Sequence, residues 1–167
     1  GIKLVIGFKM EINIRRVTID DVSALSVIAR QTFYDTFTGT CTEADMQSFL
    51  DQFYNKEQLG RELLDPETFC FFAEVDAKPV AYLHFREDYK NFPEIKKWKA
   101  LELKRLYVLK EFHGKGIAQK LMDFFLDFAG HGRGFGAARQ PPGSAPARGR
   151  PGEWDSRFLE IGRFLKS

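Results

Sequence analysis

The chain has 167 residues, 44% of them hydrophobic and 29% charged, with a formal net charge of +2. That length argues for one domain with a buried core and against both a peptide scaffold and a multidomain assembly. The charge is local, because Gly130–Gly152 holds four arginines and no acid; the remainder carries 21 basic against 23 acidic residues, a balance of −2, so composition makes no case for a nucleic-acid binder.

Residues 1–9 precede Met10-Glu11 and are expected to be a leader outside the fold; their apolar core is too short for a signal peptide. No run approaches the roughly 18 apolar residues of a membrane span. Cys41 and Cys70 lack Cys-x-x-Cys spacing and a neighbouring histidine, which argues against a disulfide framework or any metal site and fits a reducing, cytoplasmic setting.

Ile12 and Ile14, apolar at period two, predict a first strand running into Arg15-Arg16-Val17. Thr18-Ile-Asp-Asp21 predicts a helix start, a hydroxyl three residues ahead of an acid. Val22, Leu25, Ile28 and Phe33 then keep rough helical spacing. Two further starts, Thr42 to Asp45 and Asn55 to Gln58, precede Met46-Leu50-Phe53 and Leu59-Leu63-Leu64, so residues 19–65 are expected to form two or three helices. The period then changes. Phe69–Val75 and Val80–Phe85 flank Asp76-Ala-Lys-Pro79 and predict an antiparallel hairpin.

After a polar loop containing Pro93, Ala100–Val108 is expected as a strand. Strict alternation puts Leu101, Leu103 and Arg105 on one face and Glu102, Lys104, Leu106 and Val108 on the other. Ile117, Leu121, Phe124 and Phe128 follow at helical spacing. Phe69, Phe71, Phe72, Phe124, Phe125 and Phe128 are expected in the core, and neither His84 nor His131 has a partner in sequence. The order predicts an α+β domain over residues 10–129, on a mostly antiparallel mixed sheet flanked by helices. An atypical window, 130–152, follows, and then a segment, 153–167, with a terminal strand near Arg157–Phe164.

One segment carries chemistry. The strand ending at Val108 passes through a short connection with Gly114 and Gly116 directly into a helix. The first amides of a helix have no intrahelical partner, and with the helix dipole they form an anion site suited to phosphate. Glycines let a diphosphate approach the backbone, and Lys115 and Lys120 add charge nearby. A nucleotide P-loop is excluded because Gly116, rather than Ser or Thr, follows Lys115; a dinucleotide turn is excluded because Gln119 stands where the third glycine belongs. A ligand-free glycine turn remains the alternative.

The segment resembles the coenzyme A site of the GCN5-related N-acetyltransferase superfamily, whose Arg/Gln-x-x-Gly-x-Gly/Ala signature falls on His113-Gly114-Lys115-Gly116-Ile117-Ala118. Gly116 and Ala118 match; His113 replaces the usual Arg or Gln. Upstream, Gln31-Thr-Phe-Tyr-Asp-Thr-Phe37, Tyr54–Leu59 and Leu101–Tyr107 resemble bacterial spermidine/spermine N-acetyltransferases. The resemblance implies the acyl-CoA N-acyltransferase fold and acetyl transfer from acetyl-CoA to a primary amine, with spermidine or spermine as the partner substrate. It implies direct attack in a ternary complex. The backbone of Tyr107 and Val108 would pair with the pantetheine arm, and the amides of residues 113–118 would hold the diphosphate. Glu102 is the candidate base, with a solvated or ion-paired strand residue as the alternative. Asp35 and Glu74 are candidate anchors for a cationic acceptor.

The family's later Asn-x-x-Ala-x-x-Phe-Tyr helix has no counterpart, and no tyrosine follows Tyr107, so the usual general acid is unassigned. A catalytically silent coenzyme-binding domain is therefore the rival reading. The Gly/Ala/Arg/Pro window in its place reads as a flexible segment, as an arginine contact to nucleic acid at Arg148-Gly-Arg-Pro151, or as a shifted reading frame, since GC-rich codons encode those four residues. The missing strands would leave a sheet edge that a homodimer partner could cover.

Overall fold

The computed structural model describes residues 10–87, 99–128 and 162–166, with residues 99–100 and 162–166 described by backbone alone. The expected leader, the Pro93 loop, the 130–152 window and residues 153–161 lie outside the described residues.

The elements are β1 (Asn13–Arg16), α1 (Val22–Phe37), α2 (Glu43–Phe53), α3 (Lys56–Leu64), β2 (Thr68–Val75), β3 (Lys78–Glu87), β4 (Lys99–Val108), α4 (Ile117–Phe128) and β5 (Gly162–Lys166). Local chemistry sets most of their starts. Thr42 Oγ1 accepts from the Asp45 amide at 3.1 Å, and Asn55 Oδ1 accepts from the Gln58 amide at 2.7 Å, so each helix has a side-chain cap. At Thr18 the same chemistry first builds a single 3-10 turn, Ile19–Asp21, and α1 begins only at Val22. Asp21 accepts from the Thr18 amide at 2.9 Å and is also gripped by both terminal nitrogens of Arg15, at 2.9 and 3.0 Å.

The sheet runs β1-β2-β3-β4-β5, and every described pairing is antiparallel. The β2–β3 hairpin closes through Asp76 and Ala77 alone, at φ 52° and 61°. Positive φ at both central residues matches the twist of the flanking strands, so the turn is two residues long rather than the four read from sequence.

One sheet face carries Phe71, Leu83, Phe85, Leu101, Leu103, Leu106 and Val108, and α4 buries Ile117, Leu121, Met122 and Phe125 against it. At about 1.5–3 kcal/mol for each buried side chain, those four residues hold the helix to the sheet. The rings of Phe71 and Phe124 meet edge-on at 4.7 Å, as do Phe85 and Phe125 at 4.9 Å, consistent with the expected aromatic core. On the opposite face Cys70, Phe72, Tyr82 and Tyr107 pack under Leu25, Ile28, Met46, Leu50, Tyr54 and Leu59 from the three N-terminal helices.

Strand β4 departs from strict alternation. Arg105 pairs with His84 and Leu103 with Phe85, which leaves Lys104 as an extra residue between them. This β-bulge shifts the pleat by one position. Leu101, Leu103, Leu106 and Val108 therefore share the α4 face, and Arg105 crosses to the face covered by α1–α3. The expected grouping of Arg105 with Leu101 and Leu103, and of Leu106 and Val108 with Glu102, is thus corrected by the bulge.

Candidate functional site

The two halves of β4 differ along their outer edge. Lys99–Leu103 pairs with β5, whereas among the described residues Lys104–Val108 is paired only on its β3 side. The direction of the backbone groups follows from one hydrogen bond, Leu109 N to Val80 O at 2.9 Å. In an antiparallel ladder alternate residues bond to alternate sides. Tyr107, opposite Tyr82, therefore spends its amide and carbonyl on β3, while Leu106 and Val108 direct theirs to the open edge. Of the two residues expected to offer backbone there, Val108 faces outward and Tyr107 does not. Leu106 shares that edge with Val108, a distinction that depends on ladder phase and is invisible in sequence.

Beyond β4 the chain makes a 3-10 turn at Lys110–Phe112 and then passes through His113–Gly116 into α4. Gly114 and Gly116 adopt φ +75° and +78°, which L side chains rarely adopt. Among the described residues a Cβ at either position would meet no heavy atom within 4 Å, which leaves the backbone open in front. The Gly116 carbonyl accepts the first helical bond, from Lys120 N at 3.0 Å. The amides of Ile117 and Ala118 thus fall in the first turn, without intrahelical acceptors. Buried Ile117 pins that turn to the core, and Ala118 packs at its margin.

The charged neighbours are less uniform than their spacing implies. Lys115 lies over the Phe112 ring, with Nζ 5.5 Å from its centroid, and stays beside the turn. Lys120 Nζ donates to the Ile12 carbonyl at 3.1 Å and is thereby tied to the chain ahead of β1. His113 turns back onto β4, with Nε2 2.8 Å from the Val108 carbonyl oxygen. A carbonyl only accepts, so Nε2 carries the proton. In this structure the imidazole holds the strand edge instead of extending beyond the loop.

Glu102 is partly exposed, opposite Arg86 on β3 and Arg163 on β5 in the ladder. Arg86 itself reaches Glu67 at 3.3 Å. The two acids singled out as cation anchors separate. Glu74 is bound by Arg15 Nε at 3.0 Å on β2, two strands from β4, and is already committed. Asp35 lies near the end of α1, 3.8 Å from Lys110.

A polar cluster missed in the sequence lies under α1 and α3. Arg105 donates to Glu62 at 2.9 and 3.3 Å, approaches His84 Nδ1 at 3.3 Å and stacks 4.9 Å from the Tyr54 ring centroid. A guanidinium only donates, so His84 Nδ1 accepts. Burial, reinforced by the Arg105, Lys104 and Arg86 charges, holds His84 well below the usual histidine range, which keeps it neutral. Together with Leu25, Leu59, Leu63, Cys70 and Tyr82, the side chains of Glu62, His84 and Arg105 line a small pocket of about 10 Å³. The available signals were an arginine inside an apolar strand and a glutamate between Leu59 and Leu63; 43 positions of separation hid their pairing.

Among the described residues no three His, Cys, Asp or Glu side chains gather as a metal site, and no helix is long and apolar enough to cross a membrane.

Comparison with known proteins gives the family and the fold. A protein from Lactobacillus delbrueckii subsp. lactis, described as an uncharacterized N-acetyltransferase, is 32% identical over 113 residues, covering 68% of this chain; the chain spans about 65% of that relative's length. The PaiA N-acetyltransferase of Thermoplasma acidophilum, solved in complex with coenzyme A, shares the fold at TM-score 0.60 and 24% identity, over 71% of this chain and 72% of that one. An aminoglycoside acetyltransferase from an uncultured soil metagenomic sample, solved with sisomicin, shares it at TM-score 0.53 and 18% identity, over 70% and 68% of the two chains. Residues 29–146 match the model of the Acetyltransferase (GNAT) family, and the chain belongs to that family.

Proposed function

We propose that this chain is an acetyl-CoA-dependent N-acetyltransferase whose acceptor is a primary amine, and specifically a polyamine such as spermidine or spermine. The observation that carries the reading is the edge of β4 at Leu106 and Val108, which no strand pairs among the described residues and which leads through the 3-10 turn into glycines with no described atom in front of them. The residues fit the coenzyme chemically. A strand edge offers alternating donors and acceptors to an amide-bearing arm, and the Gly114–Ala118 amides at a helix start suit a diphosphate.

Bound there, acetyl-CoA would supply an activated acetyl thioester. Leu106 and the Val108 amide would align the arm by backbone pairing, while the Val108 carbonyl is held by His113 Nε2 at 2.8 Å. Gly116, Ile117 and Ala118 would hold the diphosphate, with Lys115 supplying charge. Glu102, directly or through a water, would take the proton of the acceptor ammonium so that a neutral nitrogen attacks. As the C–N bond forms and the C–S bond breaks, the proton leaving the nitrogen accompanies the departing thiolate. The body of the chain outside the arginine window, at −2, suits a cationic acceptor.

Two measurements test the reading. A ligand bound only by the native state raises stability by about 2.7 kcal/mol at a hundred times its Kd, so acetyl-CoA must shift the melting curve. Thiol release with spermidine then reports transfer. Stabilisation without thiol release from any amine would favour the silent coenzyme-binding domain, and no stabilisation would dismiss both. Glu102→Gln should lower the rate and alter its pH profile; an unchanged profile would remove Glu102 as the base.

A further inference from the structure

Six ion pairs join the described residues, and five close at 2.7–3.3 Å. The sixth, Asp35 with Lys110, stands at 3.8 Å, beyond hydrogen-bond range. The contrast is sharpest among carboxylates of similar burial. Glu62, 17% exposed, receives two N–H groups from Arg105, and Asp21, 19% exposed, receives Arg15 and the Thr18 amide. Asp35 is as buried, at 15% exposed, yet among the described residues its Oδ1 accepts only from the neutral Gln31 amide at 2.9 Å, and its enclosed Oδ2 has no donor. Lys110, 64% exposed, is a loose counter-charge resting over it.

The position of this under-matched acid matters. Asp35 lies in the last turn of α1, whose Tyr34 and Phe37 join the same apolar cluster as Tyr107 at the end of β4 and Leu109 just beyond it. Lys110 follows Val108 by two residues. The acid therefore abuts the point where the open edge of β4 leaves the sheet, on the helix-covered side. A buried carboxylate oxygen without a donor is completed best by a cation that brings N–H groups with it.

We infer that Asp35 is the subsite for a second cationic nitrogen of the acceptor, which displaces Lys110 when it binds. This rests on the reading that the chain acetylates an amine, and it narrows the substrate class to amines bearing at least two positive charges.

The test compares spermidine with butylamine, which carries one ammonium, on the full chain. Asp35→Asn keeps shape and removes charge. It should raise the KM for spermidine about tenfold, the order expected for one charge-assisted hydrogen bond, and leave the KM values for butylamine and acetyl-CoA unchanged. Lys110→Met removes the competitor and should lower the spermidine KM. Equal effects on both amines, or none on either, would overturn the subsite. If no amine is turned over, calorimetric binding of the two amines to the coenzyme A-loaded protein replaces KM. Loss of spermidine preference in Asp35→Asn then supports the subsite even as the acetylation reading fails, and equal wild-type affinities overturn it.

Discussion

Replacing Gly116 with alanine separates a conformational glycine from an incidental one. Its φ of +78° lies where an L residue costs about 1–2 kcal/mol. No heavy atom lies within 4 Å of the added Cβ, so the whole penalty is backbone strain. For a chain of this size that corresponds to a fall in Tm of about 2–8 °C. The new methyl also stands in the open front of the turn. Acetyl-CoA should therefore bind more weakly whether the loop keeps its shape or relaxes its amides away. Gly60 provides the opposite case. It lies inside α3, where a Cβ would meet Ile19 Cδ1 at 3.4 Å, an ordinary contact. Gly60→Ala should gain up to about 1 kcal/mol of helix propensity and raise Tm by about 2–4 °C, leaving the acetyl-CoA shift intact. Thermal melts of both variants with and without acetyl-CoA give all four quantities. If Gly116→Ala melts like the wild type and keeps the full acetyl-CoA shift, the loop does not form the coenzyme cradle.

Burial pushes the Cys70 thiol up to about 12, while Cys41 is exposed, so a thiol reagent at neutral pH should titrate one cysteine in native protein and two in denaturant; two native thiols would refute the packing of Cys70. The Arg15 hydrogen bond holds Asp21 at about 2, below its ordinary 3.8, so its contribution is full above that ordinary value and is lost as pH falls towards 2; Asp21→Asn should flatten acid unfolding in that window, and an unaltered acid limb would count against the pair. Glu62→Ala strands the Arg105 charge, whose side chain is 18% exposed, and should cost about 3–5 kcal/mol in a denaturant melt. An apolar double replacement, Glu62→Leu with Arg105→Met, should recover most of that loss; a double variant no more stable than the single would contradict the buried-charge account.

The sequence by itself determined what depends on neighbours along the chain. Thr42 and Asn55 cap their helices because a side-chain oxygen reaches an amide three residues on, and Ile117, Leu121, Phe124 and Phe128 all meet one core because helical periodicity puts them on one face. The glycine turn ahead of α4 was legible for the same reason. Tertiary structure decided what depends on how strands pair. One extra residue at Lys104 changes the pleat phase, which sends Arg105 to Glu62, 43 positions away, and leaves Leu106 and Val108 rather than Tyr107 on the open edge. Alternation cannot reveal a bulge, because an inserted residue keeps the composition of the strand and alters only its phase. The same limit applies to His113 and Asp35. Whether an imidazole caps a strand carbonyl, or a carboxylate is left one donor short, is fixed by distances between elements that no spacing along the chain records.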